Sequence, residues 1–152
     1  MSEHTAAVTW IRGDQPFTDR RYSRSHDWSF DGGARVRGSS APTSVAVPMS
    51  DAAAVDPEEA LVAAVSSCHM LFFLDFAARA GLVVDRYEDM AAGILERDTR
   101  GRMSITQIAL RPRVTFAGST PDQGVTDTLH HQAHEACFIA NSIRADVRIE
   151  PR

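Results

Sequence analysis

The residues of this chain best suited to do chemistry are its two cysteines, Cys68 and Cys137. Cys68 lies within the apolar segment VAAVSSCHMLFFLDF, and Cys137 lies within HEACFIANS. A single buried thiol is usually an inert small hydrophobe, because apolar surroundings raise its pKa. Two separated cysteines in helical, partly apolar contexts instead indicate a pair that meets in space. Such a pair has redox chemistry available, since a sulfenic acid beside a second thiol condenses reversibly to a disulfide.

A metal site is an alternative use of the same region. His130, His134 and Cys137 are spaced i, i+4 and i+7, which places them on one stripe of a helix, and His131 and His69 are further candidate ligands. The same histidines are also consistent with a polar helix face or a subunit contact. The spacing alone leaves these possibilities open.

A third possibility is a binding module without turnover. The apolar residues near the cysteines are Met70, Phe72, Phe73 and Phe138. They are suited to line a pocket for an apolar ligand, or they fill the core, which is the commoner use of such residues. Ligand binding without peroxide turnover would distinguish this module from an enzyme.

The element that must position Cys68 is a predicted helix between Asp56 and Gly81. Asp56 is a suitable N-cap, Pro57 suits the first helical position, and Glu59 completes a capping box. Gly81 supplies a left-handed stop. Residues 60–74 are apolar on nearly every side, which predicts a buried helix.

The remaining elements predict a single α+β domain over residues 1–152. The order is hairpin, helix, hairpin, helix, strand. We predict strands at residues 6–11, 22–30 and from 35, an irregular loop at 38–51, a second hairpin with arms 83–98 and 102–116, a second helix opened by residues 120–122 and running to 137, and a last strand at 146–150. Pro112 predicts an edge position or a bulge.

Composition narrows the function further. Sixteen basic and twenty acidic residues give a net charge of −4, and no basic run is long enough to follow a phosphate backbone, so nucleic acid is not an expected partner. No signal peptide is visible at the N-terminus. The longest apolar run spans about 15 residues before Asp75 and Arg79, so we expect no membrane span. We therefore expect a cytoplasmic protein with reduced thiols.

Residues 56–61, DPEEAL, followed by Cys68, resemble the signature of the OsmC/Ohr family of osmotically induced and organic hydroperoxide resistance proteins. That signature has a proline, a glutamate and a cysteine ten residues later, here Pro57, Glu58 and Cys68. A second family cysteine ends the second long helix, where Cys137 stands. The resemblance covers essentially the whole chain.

Two departures place the chain in a divergent OsmC-like branch. The second family cysteine is usually followed by proline, whereas Phe138 follows here. The first is commonly followed by an aromatic residue, whereas His69 follows here.

The resemblance implies a peroxidase without metal or other cofactor that prefers organic hydroperoxides. Cys68 would become a sulfenic acid, Cys137 would condense with it, and an external dithiol, such as a lipoylated protein, would reduce the disulfide. It also implies an antiparallel sheet packed on the buried central helix and the second helix. Two chains would form an intertwined homodimer across the buried helices.

The resemblance further implies an arginine that activates the Cys68 thiolate and is oriented by Glu58. Ten residues of helix separate Glu58 from Cys68 by roughly 15 Å, so the two side chains cannot touch. A guanidinium is long, always charged and able to bind a carboxylate and an oxygen or sulfur together. The candidates are Arg20, Arg21 and Arg24; we favour Arg21 and then Arg24, from either subunit.

Overall fold

In the computed structural model, which describes all 152 residues, the longest helix is α1 (Pro57–Arg79). At its start, the Asp56 N–H donates to Glu59 Oε2 at 3.2 Å and the Glu59 N–H donates to Asp56 Oδ1 at 2.7 Å. At its end, Gly81 has a φ of 74° and its N–H donates to the carbonyl of Ala78 at 3.0 Å. The capping box and the glycine stop are therefore confirmed.

The chain divides into two compact units, Met1–Ala60 and Leu61–Arg152. The first unit contains β1 (Ala6–Thr9), β2 (His26–Phe30), β3 (Arg35–Gly38) and the first turn of α1. The second contains the rest of α1 followed by β4 (Val84–Asp89), β5 (Ala92–Arg97), β6 (Met103–Leu110), β7 (Pro112–Phe116), α2 (Gln123–Ala136), a short 3-10 turn (Ala140–Ser142) and β8 (Asp146–Ile149). One domain over residues 1–152 stays a prediction.

In the first unit, β1, β2 and β3 form an antiparallel sheet with β2 in the centre. The strand predicted over residues 22–30 begins only at His26, because the Arg24 N–H donates to Met49 O at 2.7 Å outside the sheet. Gly38 is required at the end of β3, since a Cβ there would lie 2.5 Å from Nε2 of His26.

In the second unit, the predicted hairpin of residues 83–98 and 102–116 is divided between two sheets. β4 pairs with β7, whereas β5 pairs with β6. The arms break where the Arg111 N–H donates to Asp89 Oδ1 at 2.6 Å and Pro112 begins the next strand. β8 runs parallel to β6, which departs from the wholly antiparallel sheet predicted.

The second helix, α2, begins later than predicted. Asp122 is its N-cap and Gln123 its first residue, so Thr120 and Pro121 precede the helix. The backbone N–H groups of Val125 and Thr126 donate to the carbonyl of Asp122. Cys137 is the C-cap.

One stripe of α1 is fully buried, and the prediction of burial on all sides is wrong for the single chain. The buried residues recur every four positions: Val65, His69, Phe73 and Ala77. The other side of the helix is open, and Leu71 is 60% exposed. By length and composition alone α1 is long and apolar enough to cross a membrane, a property that it shares with core helices.

The core of the second unit has two apolar clusters. Phe73, Ala77, Phe116, Leu129 and Ala133 form the first. The second cluster joins α1 to the three-stranded sheet through Val65, Ile108 and Leu110.

Candidate active site

The two cysteines come together where α1 meets the end of α2. The Cys68 thiol lies close enough to that of Cys137 to raise the pKa of Cys137, and both are free thiols. Cys137 is fully buried, whereas Cys68 is partly exposed. The pair expected from the sequence is therefore in contact, and only Cys68 is open to a reactant.

The surroundings of Cys137 favour its protonated form. Burial, and after it the neighbouring Cys68 thiol, raises the pKa of Cys137 to about 11. The Ala140 N–H lies 3.4 Å from its sulfur and opposes this effect only in part. Its place at the C-terminal end of α2 also disfavours a negative charge. Cys137 is therefore a neutral thiol at pH 7.

Aromatic side chains lie beside the thiols. Phe72 is one helical turn after Cys68, and its ring meets that of Phe138 edge to face, with 5.0 Å between centroids. Phe138 is 71% exposed. Phe73, by contrast, is a fully buried core residue. Of the residues considered for an apolar ligand, Phe72 and Phe138 therefore offer a partly open apolar surface next to the thiol pair.

A buried pair of imidazoles joins α1 to α2. His69 is 1% exposed and His130 is 4% exposed. Their rings stack with 5.4 Å between centroids and 9° between planes. Nε2 of His69 lies 3.1 Å from Nδ1 of His130, so one ring donates a hydrogen bond to the other. Burial lowers the pKa of each ring to about 4, and both are neutral at pH 7.

The structure does not provide a ligand set for the metal site considered as an alternative. His134 is close enough to lower the pKa of His69 further, and Nδ1 of each of these rings is buried without a hydrogen-bond partner. However, the chain has no group of three or more His, Cys, Asp or Glu side chains that could hold a metal ion. The stripe of His130, His134 and Cys137 is therefore not arranged as a metal centre.

The candidate arginines differ in how firmly they are held. Nη1 of Arg24 donates to the carbonyl oxygens of Arg20, at 2.9 Å, and of Tyr22. Its guanidinium also lies 3.8 Å from the centre of the Tyr22 ring. Arg21 is exposed, and its side chain forms no hydrogen bond or ion pair. Arg24 is therefore the candidate whose guanidinium has a defined position.

Glu58 is half-buried in the first turn of α1. No ion pair joins it to Arg20, Arg21 or Arg24 in the chain. Its neighbour Glu59 is the residue that completes the capping box. Glu59 therefore caps the start of α1, whereas Glu58 has no capping role.

Comparison with known proteins identifies the family. The family described as OsmC-like protein matches residues 50–152. The chain belongs to the OsmC-like family. A solved OsmC-like protein of unknown function from Vibrio cholerae is 51% identical to it, with each chain fully covered and a TM-score of 0.97. No curated protein matches the chain.

More distant OsmC-like structures share the fold. The organic hydroperoxide resistance protein OhrB of Bacillus subtilis is 21% identical, covers 97% of this chain and 98% of its own, and has a TM-score of 0.70. An organic hydroperoxide resistance protein OsmC from Legionella pneumophila is 15% identical, covers 99% and 97%, and has a TM-score of 0.65. The α+β fold and family predicted from the sequence are confirmed.

Sequence reasoning missed the stacked histidine pair of this OsmC-like chain. It treated His69 and His130 as metal ligands or as surface residues. The available signal was the four-residue spacing of Val65, His69 and Phe73, which places the histidine on the same helical stripe as core residues. A histidine on such a stripe needs a buried polar partner, and His130 provides it.

Proposed function

We propose that the chain is a thiol-dependent peroxidase that reduces organic hydroperoxides. The observation that carries the proposal is the contact between a partly exposed Cys68 and a buried, protonated Cys137. Family membership supports it, since the fold is shared with proteins named for organic hydroperoxide resistance. No metal or prosthetic group is needed for this chemistry.

The two cysteines have different roles because they differ in access. The Cys68 thiolate attacks one peroxide oxygen, an S–O bond forms as the O–O bond breaks, and an alcohol leaves. Cys137 cannot begin the reaction, because it is fully buried and its thiol remains protonated. It instead attacks the sulfur of the Cys68 sulfenic acid and releases water as the disulfide forms.

The Cys68 thiolate is activated by an arginine, and we now favour Arg24 over Arg21. Tyr22 and two backbone carbonyls fix the Arg24 guanidinium, and a fixed fork loses less entropy when it binds a thiolate and a carboxylate. No ion pair joins Glu58 to Arg24 in the single chain, so we propose that Glu58 orients that arginine in the homodimer. Whether the arginine serves its own subunit or the partner's is part of the test below.

The partners follow from the same proposal. The exposed apolar side of α1, with Leu71 60% exposed, supports a homodimer in which a second chain covers the helix. An external dithiol, such as a lipoylated protein or another thiol, regenerates the cysteines. The protein works in the cytoplasm, where thiols are kept reduced. The exposed Phe138 beside the thiols supports a preference for hydroperoxides with an apolar group.

The deciding experiment counts thiols before and after one equivalent of tert-butyl hydroperoxide, with intact mass measured under denaturing conditions. We expect rapid loss of both thiols and a mass decrease of about two hydrogens, the sign of one disulfide. Cys137→Ser should consume one equivalent and stop as a sulfenic acid, whereas Cys68→Ser should not react. Retention of both thiols in excess peroxide would refute the proposal.

The arginine assignment is tested by charge-conserving variants. Arg24→Lys and Arg21→Lys keep the charge but remove the planar fork, so only the residue that holds the thiolate is expected to slow Cys68 oxidation. Mixing inactive Cys68→Ser chains with slowed Arg24→Lys chains then distinguishes the two arrangements. Mixed dimers regain activity only if the arginine serves the partner's cysteine.

A further inference from the structure

A cavity of about 300 Å³ lies between α2 and β7 in the second unit, and neither cysteine lines it. Val114 and Phe116 of β7 give it an apolar wall. Its most buried polar lining residue is His130 of α2, which is only 4% exposed. The volume is at the lower end of the range for ligand sites, so the cavity suits a small molecule.

The ring of His130 has one nitrogen free for a ligand. Its Nδ1 is occupied by Nε2 of His69 at 3.1 Å, whereas no protein group forms a hydrogen bond with Nε2 of His130. Unlike Nδ1 of His69, this Nε2 is not fully enclosed by protein. Because the two nitrogens of an imidazole point in different directions, Nδ1 faces α1 and Nε2 is left to face the cavity.

The free nitrogen of His130 carries a proton. A neutral imidazole has one N–H, and both rings are neutral at pH 7. If Nδ1 of His130 were the donor, His69 would carry its proton on Nδ1, which is buried without a hydrogen-bond partner. A buried N–H without an acceptor is rarer in proteins than a buried acceptor without a donor. His69 is therefore the donor, and His130 presents its Nε2–H to the cavity.

Two side chains of opposite charge, Asp127 and Arg152, also line the cavity, and neither is in an ion pair. Burial lowers the pKa of His130 and Asp127 opposes this effect, so the carboxylate acts on the ring one turn further along α2. Arg152 is anchored, since its Nε donates to the carbonyl of Arg111 at 3.1 Å and its N–H donates to that of Pro112 at 2.9 Å. Its two terminal nitrogens remain available to a ligand.

The start of α2 adds further donors at the same end of the cavity. Gln123, the first residue of the helix, is a lining residue. The side chain of Asp122 does not cap the helix, and the N–H groups of Gln123 and Gly124 have no acceptor in the chain. Uncapped N–H groups and the helix dipole favour an anionic group. Together with Arg152 they favour a carboxylate, whereas Asp127 favours a cation.

We propose that this cavity binds a small apolar α-amino acid as its zwitterion. The carboxylate accepts hydrogen bonds from Arg152 and from the Nε2–H of His130, and the ammonium pairs with Asp127. The apolar side chain packs on Val114 and Phe116. A carboxylic acid without an amine would face the charge of Asp127, and an amine without a carboxylate would face that of Arg152. The site is independent of the thiols and of the peroxidase function.

The test is a titration of the wild-type protein, labelled with ¹⁵N-histidine, at pH 7. The probes are L-leucine, 4-methylpentanoate, which lacks the ammonium, and 3-methylbutylamine, which lacks the carboxylate. We expect the free protein to carry the His130 proton on Nε2 and L-leucine to shift that resonance in a saturable manner. Each analogue should bind about tenfold more weakly or worse, the scale of one hydrogen bond to a charged group.

Two variants of exposed residues assign the charges, and their exposure makes misfolding no obstacle. Arg152→Gln should weaken L-leucine about tenfold without weakening 3-methylbutylamine, whereas Asp127→Asn should weaken L-leucine and strengthen 4-methylpentanoate. The matched control is Arg113→Gln, an exposed arginine of β7 that is neither a lining residue nor in an ion pair. It should bind L-leucine as the wild-type protein does.

Three results would overturn the proposal. The first is a His130 resonance that responds to none of the three probes, or a His130 ring protonated on Nδ1 in the free protein. The second is equal binding of L-leucine and 4-methylpentanoate, which would leave Asp127 without a role. The third is the same loss of affinity in Arg113→Gln and Arg152→Gln, because an effect of net charge alone would then explain both.

Discussion

Nε2 of His69 lies 3.1 Å from Nδ1 of His130, and this hydrogen bond joins α1 to α2 inside the core of the second unit. Both rings are almost fully buried and neutral. Protonation of either ring would place an unpaired positive charge among apolar side chains such as Phe73. The pair therefore couples the packing of the two helices to pH.

We predict that the free energy of unfolding decreases as the pH falls from 6.5 to 4. The folded pKa of each histidine is lowered from 6.5 to about 4, so the unfolded chain binds more protons in this range. The stabilisation is complete above pH 6.5 and is lost as the pH falls toward 4. One pKa unit corresponds to about 1.4 kcal/mol, so the pair contributes on the order of a few kcal/mol. Urea unfolding at several pH values measures this pH dependence of the free energy of unfolding.

Two variants separate this effect from the other titrating groups. His69→Leu with His130→Leu removes both rings and should flatten the dependence of stability on pH. His131→Asn removes an exposed histidine and should leave it unchanged. An unaltered slope in the double variant would assign the acid sensitivity to other residues.

We predict that Cys68 alone reacts with iodoacetamide in the native protein. Cys68 is partly exposed, whereas Cys137 is fully buried and its pKa is raised to about 11. Because the thiolate is the nucleophile, Cys137 should be modified only after denaturation. Mass spectrometry at pH 7.5 should show one adduct, and none in Cys68→Ala. Rapid modification of Cys137 in that variant would contradict its assignment as the buried thiol.

The parts of the fold that could be predicted are those that local sequence determines. The boundaries of α1 depend on Asp56, Glu59 and Gly81, all within a few residues of the helix ends. The contact of Cys68 with Cys137 followed from the helical context of both and from the family signature. Hydrogen bonds and φ angles at the ends of α1 involve no distant residue, so local sequence was sufficient there. Cys68 and Cys137 are 69 residues apart, and their contact was expected from the family signature instead.

The parts that could not be predicted depend on contacts far apart in the sequence. The division of β4 from β5 and of β6 from β7 rests on the bond from Arg111 to Asp89, 22 residues away. The burial of His69 rests on His130, 61 residues away. The spacing of Val65, His69 and Phe73 places His69 on the core stripe of α1, but hydropathy treats both histidines as polar and does not identify His130 as the partner.

We predict that Gly93→Ala destabilises the protein, whereas Gly124→Ala does not. A Cβ at Gly93 of β5 would lie 2.7 Å from Cγ2 of Val62 on α1, so the helix or the strand must shift. Overpacking of this kind costs about 1–3 kcal/mol. At Gly124 of α2 a Cβ meets nothing within 4 Å, and alanine is the better helix former. Thermal unfolding measures both, and equal melting temperatures would show that α1 is not tightly packed on β5.

The adjacent carboxylates Glu58 and Glu59 allow function and stability to be tested separately. Glu59 accepts a hydrogen bond from the Asp56 N–H, so Glu59→Ala should lower the free energy of unfolding by about 1 kcal/mol and leave the rate of Cys68 oxidation unchanged. Glu58 makes no cap, so Glu58→Gln should leave stability nearly unchanged, apart from a small helix-dipole effect. It should slow Cys68 oxidation at least tenfold, because a neutral amide orients the arginine less firmly. If Cys68 of the Glu58→Gln variant is oxidised at the wild-type rate, the Cys68 thiolate is activated without the Glu58 carboxylate.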